Sequence, residues 1–311
     1  MTAQPLVSVI VVSYNQEAFV GAAVQSALVQ TYSPLEIILS DDCSTDRTFE
    51  IMQQAAAAYR GPHKVILNRN PTNIGVAQHY NRAAGLATRE IIVVQDGDDI
   101  SLPDRAAKLA YAFQQPTAVD MVCSDVLMID KDGAALPGRD RPPVTPLSLE
   151  AAASAGAISA LGCAAAYSRA LWAKYGPIDP EVLQEDVVLP FRALLERGIR
   201  IVDEPLVQYR IHDDNLFGGR STPKTRATRR RWARNWLAIS RDWNRSWAAS
   251  GRTDPALERS LRQQLKFRGY DAECYDRSRL HAIKVAFATL MDGLKFRNFG
   301  GIVRRHVLRI G

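Results

Sequence analysis

Residues 90–105 read Glu-Ile-Ile-Val-Val-Gln-Asp-Gly-Asp-Asp-Ile-Ser-Leu-Pro-Asp-Arg, and they constrain the chain more than any other stretch. Ile91 to Gln95 is a mostly β-branched run, the pattern of a strand buried on both faces of a parallel sheet. It runs into Asp96-Gly97-Asp98-Asp99, where crowded carboxylates repel one another unless a cation or a set of donors compensates them. Gly97 permits a sharp turn, and Pro103 suits the first turn of a following helix. Open α/β sheets bind ligands beyond the carboxyl ends of their strands, where these aspartates fall. A hard divalent ion gripping a diphosphate needs only one or two protein carboxylates there.

The preceding sequence repeats this arrangement. Leu6 to Tyr14 is a near-continuous apolar strand ending in Ser13-Tyr14-Asn15, followed by helical spacing from Phe19 to Leu28. Glu36 to Ser40 is a second strand that leads into Asp41-Asp42, where Ser44 or Thr45 is placed to cap a helix from Arg47 to Tyr59. Lys64 to Asn68 makes a third strand, and Asn73-Ile74-Gly75 opens a helix to about Leu86. Four rounds of strand and helix predict an α/β fold, a doubly wound, mainly parallel sheet. Its loops would gather Tyr14, Asn15, Asp42, Asn73, Asp96 and Asp98 on one edge. A nucleotide suits such a cleft: Asp42 can accept from a pyrimidine imide, Asp96 from ribose hydroxyls, and Asp98 can hold a metal on the diphosphate. Neither GxGxxG nor GxxxxGK[ST] follows the first strand, which argues against dinucleotide and P-loop sites. A sugar-phosphate nucleotidyltransferase, a rival with a similar sheet, lacks its Gly-rich basic loop in Ser13-Tyr14-Asn15-Gln16-Glu17. A non-catalytic nucleotide- or glycan-binding protein is the other alternative.

Val7–Asn15, Asp41-Asp42-x-Ser-Thr-Asp, Asn73-x-Gly75 with Asn81, and Gln95–Asp99 together resemble the nucleotide-binding half of family 2 glycosyltransferases of the GT-A fold. The resemblance spans roughly residues 5 to 215. It implies a nucleoside-diphosphate sugar donor of UDP or dTDP type, a Mn²⁺ or Mg²⁺ cofactor and inversion at the anomeric carbon. It also implies donor contacts from Ser13, Tyr14, Asn15, Glu17, Asp42, Asn73, Gly75, Asn81, Gln95 and Asp96. In the family, the segment matching Gly162-Cys163-Ala164-Ala165-Ala166 lies against donor sugar and acceptor, so Gly162 joins that set. Glu185-Asp186 resembles the family's acidic pair, with Asp186 as general base and Glu185 beside it. A base is needed because a single displacement must remove the acceptor's hydroxyl proton. Acidic residues also favour a helix N-terminus without any catalysis. The ending Tyr209-Arg210-Ile211-His212 resembles the family's closing strand, whose histidine can reach the metal alongside Asp98. Asn215 to Arg220 is placed to order over the diphosphate.

Charge divides the chain. Residues 220–311 carry 22 Lys and Arg against 7 Asp and Glu, whereas the whole chain has 39 against 33. An acidic body of residues 1–219, split near residue 100 into nucleotide and acceptor halves, therefore carries a basic extension. Such a tail suits a lipid surface, a phosphorylated acceptor or nucleic acid, and the resemblance drops the last. Trp232, Trp236, Trp243 and Trp247 lie along one helical stripe among arginines. Three roles stand open for it: core packing, peripheral membrane contact through 226–247 and 283–310, or the interface of a homo-oligomer. Arg231-Trp232 ends like the QxxRW motif of processive synthases, but Thr228 stands where glutamine belongs. Dispersed cysteines, no visible signal peptide and no apolar run of about 18 residues point to a cytoplasmic enzyme, and the membrane role of the tail, if it holds, would make it peripheral at the inner membrane face. Its acceptor would be a surface glycan or a lipid-linked sugar.

Overall fold

The computed structural model describes residues 4–138, 144–213, 215, 225–277, 279–291 and 302–307. Four parallel strands form one half of the sheet: β1 (Val7–Ser13), β2 (Glu36–Asp41), β3 (Lys64–Arg69) and β4 (Ile91–Asp96). Helices α1 (Val20–Leu28), α2 (Thr48–Ala58) and α3 (Val76–Leu86) link them. After β5 (Ile100–Ser101) and α4 (Arg105–Phe113), β6 (Met121–Asp130) starts the other half. A two-stranded ribbon, β7 (Val144–Thr145) with β8 (Ser159–Ala160), flanks α5 (Leu149–Ala155). β9 (Ala165–Ser168) then runs antiparallel between β4 and β6, giving the order β3-β2-β1-β4-β9-β6-β10-β5. The closing strand is part of one long strand, β10 (Ile199–Ile211). Pro205 has no N–H to donate, so the ladder to β6 slips on either side of it and resumes.

Every residue of β1 and β2 is buried, as a parallel sheet covered on both faces requires. Val9 and Val11 pack with α1, α2 and α4 on one side, while Ile10 and Val12 pack with α3, α6 (Arg169–Tyr175) and α7 (Glu185–Leu195) on the other. The expected tryptophan helix is α8 (Arg226–Ser250), and its role as core is settled at two positions. Trp243 and Trp247 are buried in the same cluster as α7, with Trp243 stacked on Phe191 at 4.2 Å between ring centroids. That removes both from membrane or subunit contact. Trp236 is half-buried under Arg268. Helices α9 (Pro255–Asp276) and α10 (Arg279–Met291) follow. Among the described residues no helix is long and apolar enough to cross a membrane. The ordering loop at 216–220 and most of 292–310 lie outside the described residues.

Candidate active site

The carboxyl ends of β1, β2 and β4 open onto a cleft of about 1030 Å³, closed on the far side by residues 160–163 and by the start of α7. Ser13, Tyr14, Asp42, Asn73, Gly75, Asp96, Asp98, Gly162, Glu185 and Asp186 all line it. Asp42 organises its own wall: Oδ1 accepts from Asn70 Nδ2 at 2.8 Å and Ile74 N at 3.0 Å, and Oδ2 accepts from Gly75 N at 3.0 Å. A carboxylate offers about four acceptor positions, so one remains for a ligand. Asn73 Oδ1 reinforces the turn through Gly75 N at 3.1 Å. Ser44 and Thr45, expected as caps, do other work, because Ser44 Oγ accepts from Asn15 N while Asp46 Oδ1 takes the free Thr48 N–H of α2.

Four residues expected at the donor do not line the cleft. Gln95 is buried and donates to Ala23 O at 2.8 Å and Ser26 Oγ at 3.0 Å, fixing α1. Asn81 bonds Ile178 through both backbone groups, at 2.9 and 2.8 Å. Asn15, in left-handed backbone at φ 51°, accepts from Thr45 N at 2.8 Å. Glu17 accepts from Arg47 N at 2.9 Å. These side chains tie the loops together and leave the contacts to their neighbours.

The acidic cluster is compensated from below by a cation that the sequence did not advertise. Arg105 is fully buried and donates to Val94 O and Cys163 O, both at 2.6 Å, and to Ser101 Oγ at 2.8 Å. Its one visible signal is that it shares a helical face with Leu109, four residues on. Asp99 is buried and accepts from Arg210 N at 2.8 Å. Ligand atoms of Asp96, Asp99 and Cys163 lie within 4.8 Å of one another, but the Arg105 charge already answers this group. A metal fits better beside Asp98, which lines the cleft. There Asp98 Oδ2 and His212 Nε2 converge at 3.0 Å, and His212 Nδ1 is buried without a partner among the described residues. Phe19 holds the imidazole from its face, with ring centroids 4.7 Å apart. Tyr80 Oη donates to Asp96 Oδ1 at 2.5 Å, yet burial and then the Asp98 charge push the Asp96 carboxyl up to about 6. A divalent ion beside Asp98 answers that excess of negative charge. Gly97 is needed for close approach rather than for an unusual backbone angle, since a Cβ there would fall 2.5 Å from Ser13 Oγ.

Glu185 and Asp186 open α7, where the helix dipole favours them. That does not account for their burial. Asp186 Oδ1 is buried with no hydrogen-bond partner among the described residues, and desolvation, then the Asp96 charge, raise its carboxyl to about 7. Desolvation, and then the neighbouring Asp186 charge, raise the Glu185 carboxyl well above the usual carboxylate range. Gly162 passes close by: a Cβ would meet Glu185 Oε1 at 2.7 Å and Asp186 Cβ at 3.1 Å. Gly162→Ala is therefore expected to overpack the pair and cost about 1–3 kcal/mol, measured by urea unfolding, and a neutral result would mean that α7 shifts freely. Asn235 of α8, fully buried, fixes the approach to this pair by accepting from Leu183 N at 2.7 Å and donating to Gln184 Oε1 at 3.0 Å. Trp243 Nε1 donates to Val187 O at 3.2 Å from the same helix.

Comparison with known proteins identifies the family and the fold. Residues 8–175 match the family model described as Glycosyl transferase family 2. A Bacillus subtilis protein named as glycosyltransferase EpsE is 38% identical over 133 residues, or 43% of this chain and 47% of that protein. The matched span thus covers about half that relative's length. An uncharacterized glycosyltransferase of Nostoc is 27% identical over 67% of this chain and 66% of its own. Among solved structures, S. aureus TarS 1-349 in complex with UDP-GlcNAc aligns with TM-score 0.55 and 18% identity over 98% of this chain and 92% of that one. Mannosyltransferase PcManGT from Pyrobaculum calidifontis, in complex with GDP-Man and Mn²⁺, aligns with TM-score 0.57 and 20% identity over 100% and 89%. At such identities these structures speak for the fold, which is that of GT-A glycosyltransferases. The family model spans the four parallel strands, the acidic turn and the small-residue segment, and on that match the chain belongs to glycosyl transferase family 2.

Proposed function

We propose that this glycosyltransferase works by a single inverting displacement, from a nucleoside-diphosphate sugar to a hydroxyl of a glycan or lipid-linked acceptor. The observation that carries this reading is Asp186: a buried carboxylate oxygen without a partner among the described residues, on the cleft wall, in a group tuned to about 7. The acceptor oxygen bonds to the anomeric carbon, the bond to the diphosphate breaks, and the hydroxyl proton passes to Asp186. Asp98 and His212 would hold a divalent ion, whose charge neutralises the departing diphosphate when it is bound. Tyr80 fixes Asp96 on the same wall, and the missing side chain at Gly162 leaves room beside the acidic pair. Asp42, with one acceptor position left, suits the imide of a uracil or thymine. The bound UDP-GlcNAc and GDP-Man of the two structural relatives support a nucleotide-sugar donor.

Calorimetric titration with UDP, dTDP and GDP, each with and without Mn²⁺, tests this. One of them is expected to bind in a metal-dependent way. Asp98→Asn should weaken that affinity by at least about 10-fold, the scale of one lost contact between charged groups. Unchanged affinity in the variant would remove Asp98 from the donor site.

A further inference from the structure

The charged groups lining the cleft are unevenly placed. Asp42, Asp96, Asp98, Glu181, Glu185 and Asp186 are acidic, and Arg231 brings a guanidinium to the same wall. It comes from the second turn of α8, one turn before Asn235. Residues one turn apart share a helix face, and Asn235 is locked to Leu183 and Gln184, so Arg231 is carried to the end of the cleft built by residues 180–186. Among the described residues no carboxylate pairs with Arg231, whereas Glu181, also on the wall, is engaged by Arg241 at 2.6 Å. Arg231 is exposed, and no Asp or Glu occurs between Thr225 and Asp242. Five arginines in the first three turns of α8 oppose the helix dipole, so their presence does not serve the helix itself.

We infer that Arg231 binds a phosphate group carried by the acceptor. The inference builds on the acceptor hydroxyl meeting Asp186. Any acceptor bearing phosphate close to that hydroxyl would be repelled as it enters by Asp186 in the ionised form that takes the proton. A guanidinium on the same wall offsets this repulsion and offers a two-pronged contact matched to phosphate oxygens. The shared chemistry is a phosphate ester, and two sources present it: a lipid phosphate and a phosphate-bearing polyol chain.

Calorimetry on the full chain, saturated with Mn²⁺ and whichever nucleoside diphosphate binds, separates the outcomes. The phosphate probes are dodecyl phosphate below its micelle concentration and a short glycerol-phosphate oligomer, with dodecyl maltoside as the neutral control. Wild-type protein is expected to bind a phosphate probe and not the maltoside, and the preferred probe identifies the source. Arg231→Gln should weaken that binding by about 10-fold or more, Arg231→Lys by less, and the surface control Arg262→Gln not at all. Nucleoside diphosphate affinity should stay within about 2-fold in each variant, because no donor contact is lost. Two results would overturn the inference: neither phosphate probe binding to protein that holds the nucleotide, or Arg231→Gln weakening nucleotide and phosphate probe equally. Failure of wild-type protein to bind any nucleoside diphosphate would instead defeat the donor reading beneath it.

Discussion

Asp186→Asn is expected to lower turnover by about 10²–10⁴-fold, the usual contribution of a general base, while donor affinity stays nearly intact. Amide for carboxylate keeps the shape and the helix position, so what is lost is the ability to take a proton. The pH profile supplies an independent check. A base works deprotonated, and this carboxyl is raised to about 7, first by burial and then by the Asp96 charge. Turnover in the wild-type protein should therefore climb with pH through the region near 7 and level off above it. A cation bound near Asp98 shifts that limb downward by favouring the ionised form. In the variant the residual rate should lose the limb. Donor hydrolysis measured from pH 5 to pH 9 over days reads both, and a variant with wild-type rates would remove Asp186 from the chemistry.

The same carboxyl shows which parts of the site were legible in the sequence. Strand-end acids could be placed because a β-branched run followed by Asp fixes both the strand and its carboxyl end, as for Asp42, Asp96 and Asp98. Facing could not be read so directly. Gln95 precedes Asp96 on β4, and alternation sends it to the opposite side, where Ala23 and Ser26 receive it. Asn81 illustrates the same point, since a helical residue near a motif is free to serve the packing of a distant loop, here at Ile178. Arg105 and Asn235 escaped notice because their partners come from distant parts of the chain, Cys163 for one and Gln184 for the other. An isolated Arg or Asn carries no local signal of such a contact. The tryptophan stripe gave the helix correctly but not its neighbour, and only the Phe191 ring beneath Trp243 decides between core and surface.

Asp242→Ala is expected to destabilise the protein by about 3–5 kcal/mol, the cost of leaving one member of a buried ion pair uncompensated. Arg192 of α7 and Asp242 of α8 are both fully buried. Arg192 Nη2 donates to Asp242 Oδ1 at 2.8 Å and Oδ2 at 2.9 Å, and Nε donates to Oδ1 at 3.1 Å. Asp242 Oδ2 also accepts from Asp179 N at 3.0 Å and from Arg245 Nη2 at 2.7 Å. Removing the carboxylate strands the Arg192 guanidinium, whose charged form burial already disfavours. Urea unfolding measures the loss, with Asp254→Ala as a reference. That residue caps α9 at its N-terminus, and its removal should cost only about 1 kcal/mol. The double variant Arg192→Met with Asp242→Leu should recover most of the stability, because replacing both charges by apolar groups removes the stranded one. A single variant losing less than about 1 kcal/mol would mean that water reaches Arg192. The consequence extends to catalysis, since α8 holds the start of α7 through Asn235 and Trp243. If the basic extension is part of the active-site frame, the double variant should regain stability sooner than turnover: Met and Leu can fill the space but cannot hold Asp179 N, so the loop running to Glu185 stays loose.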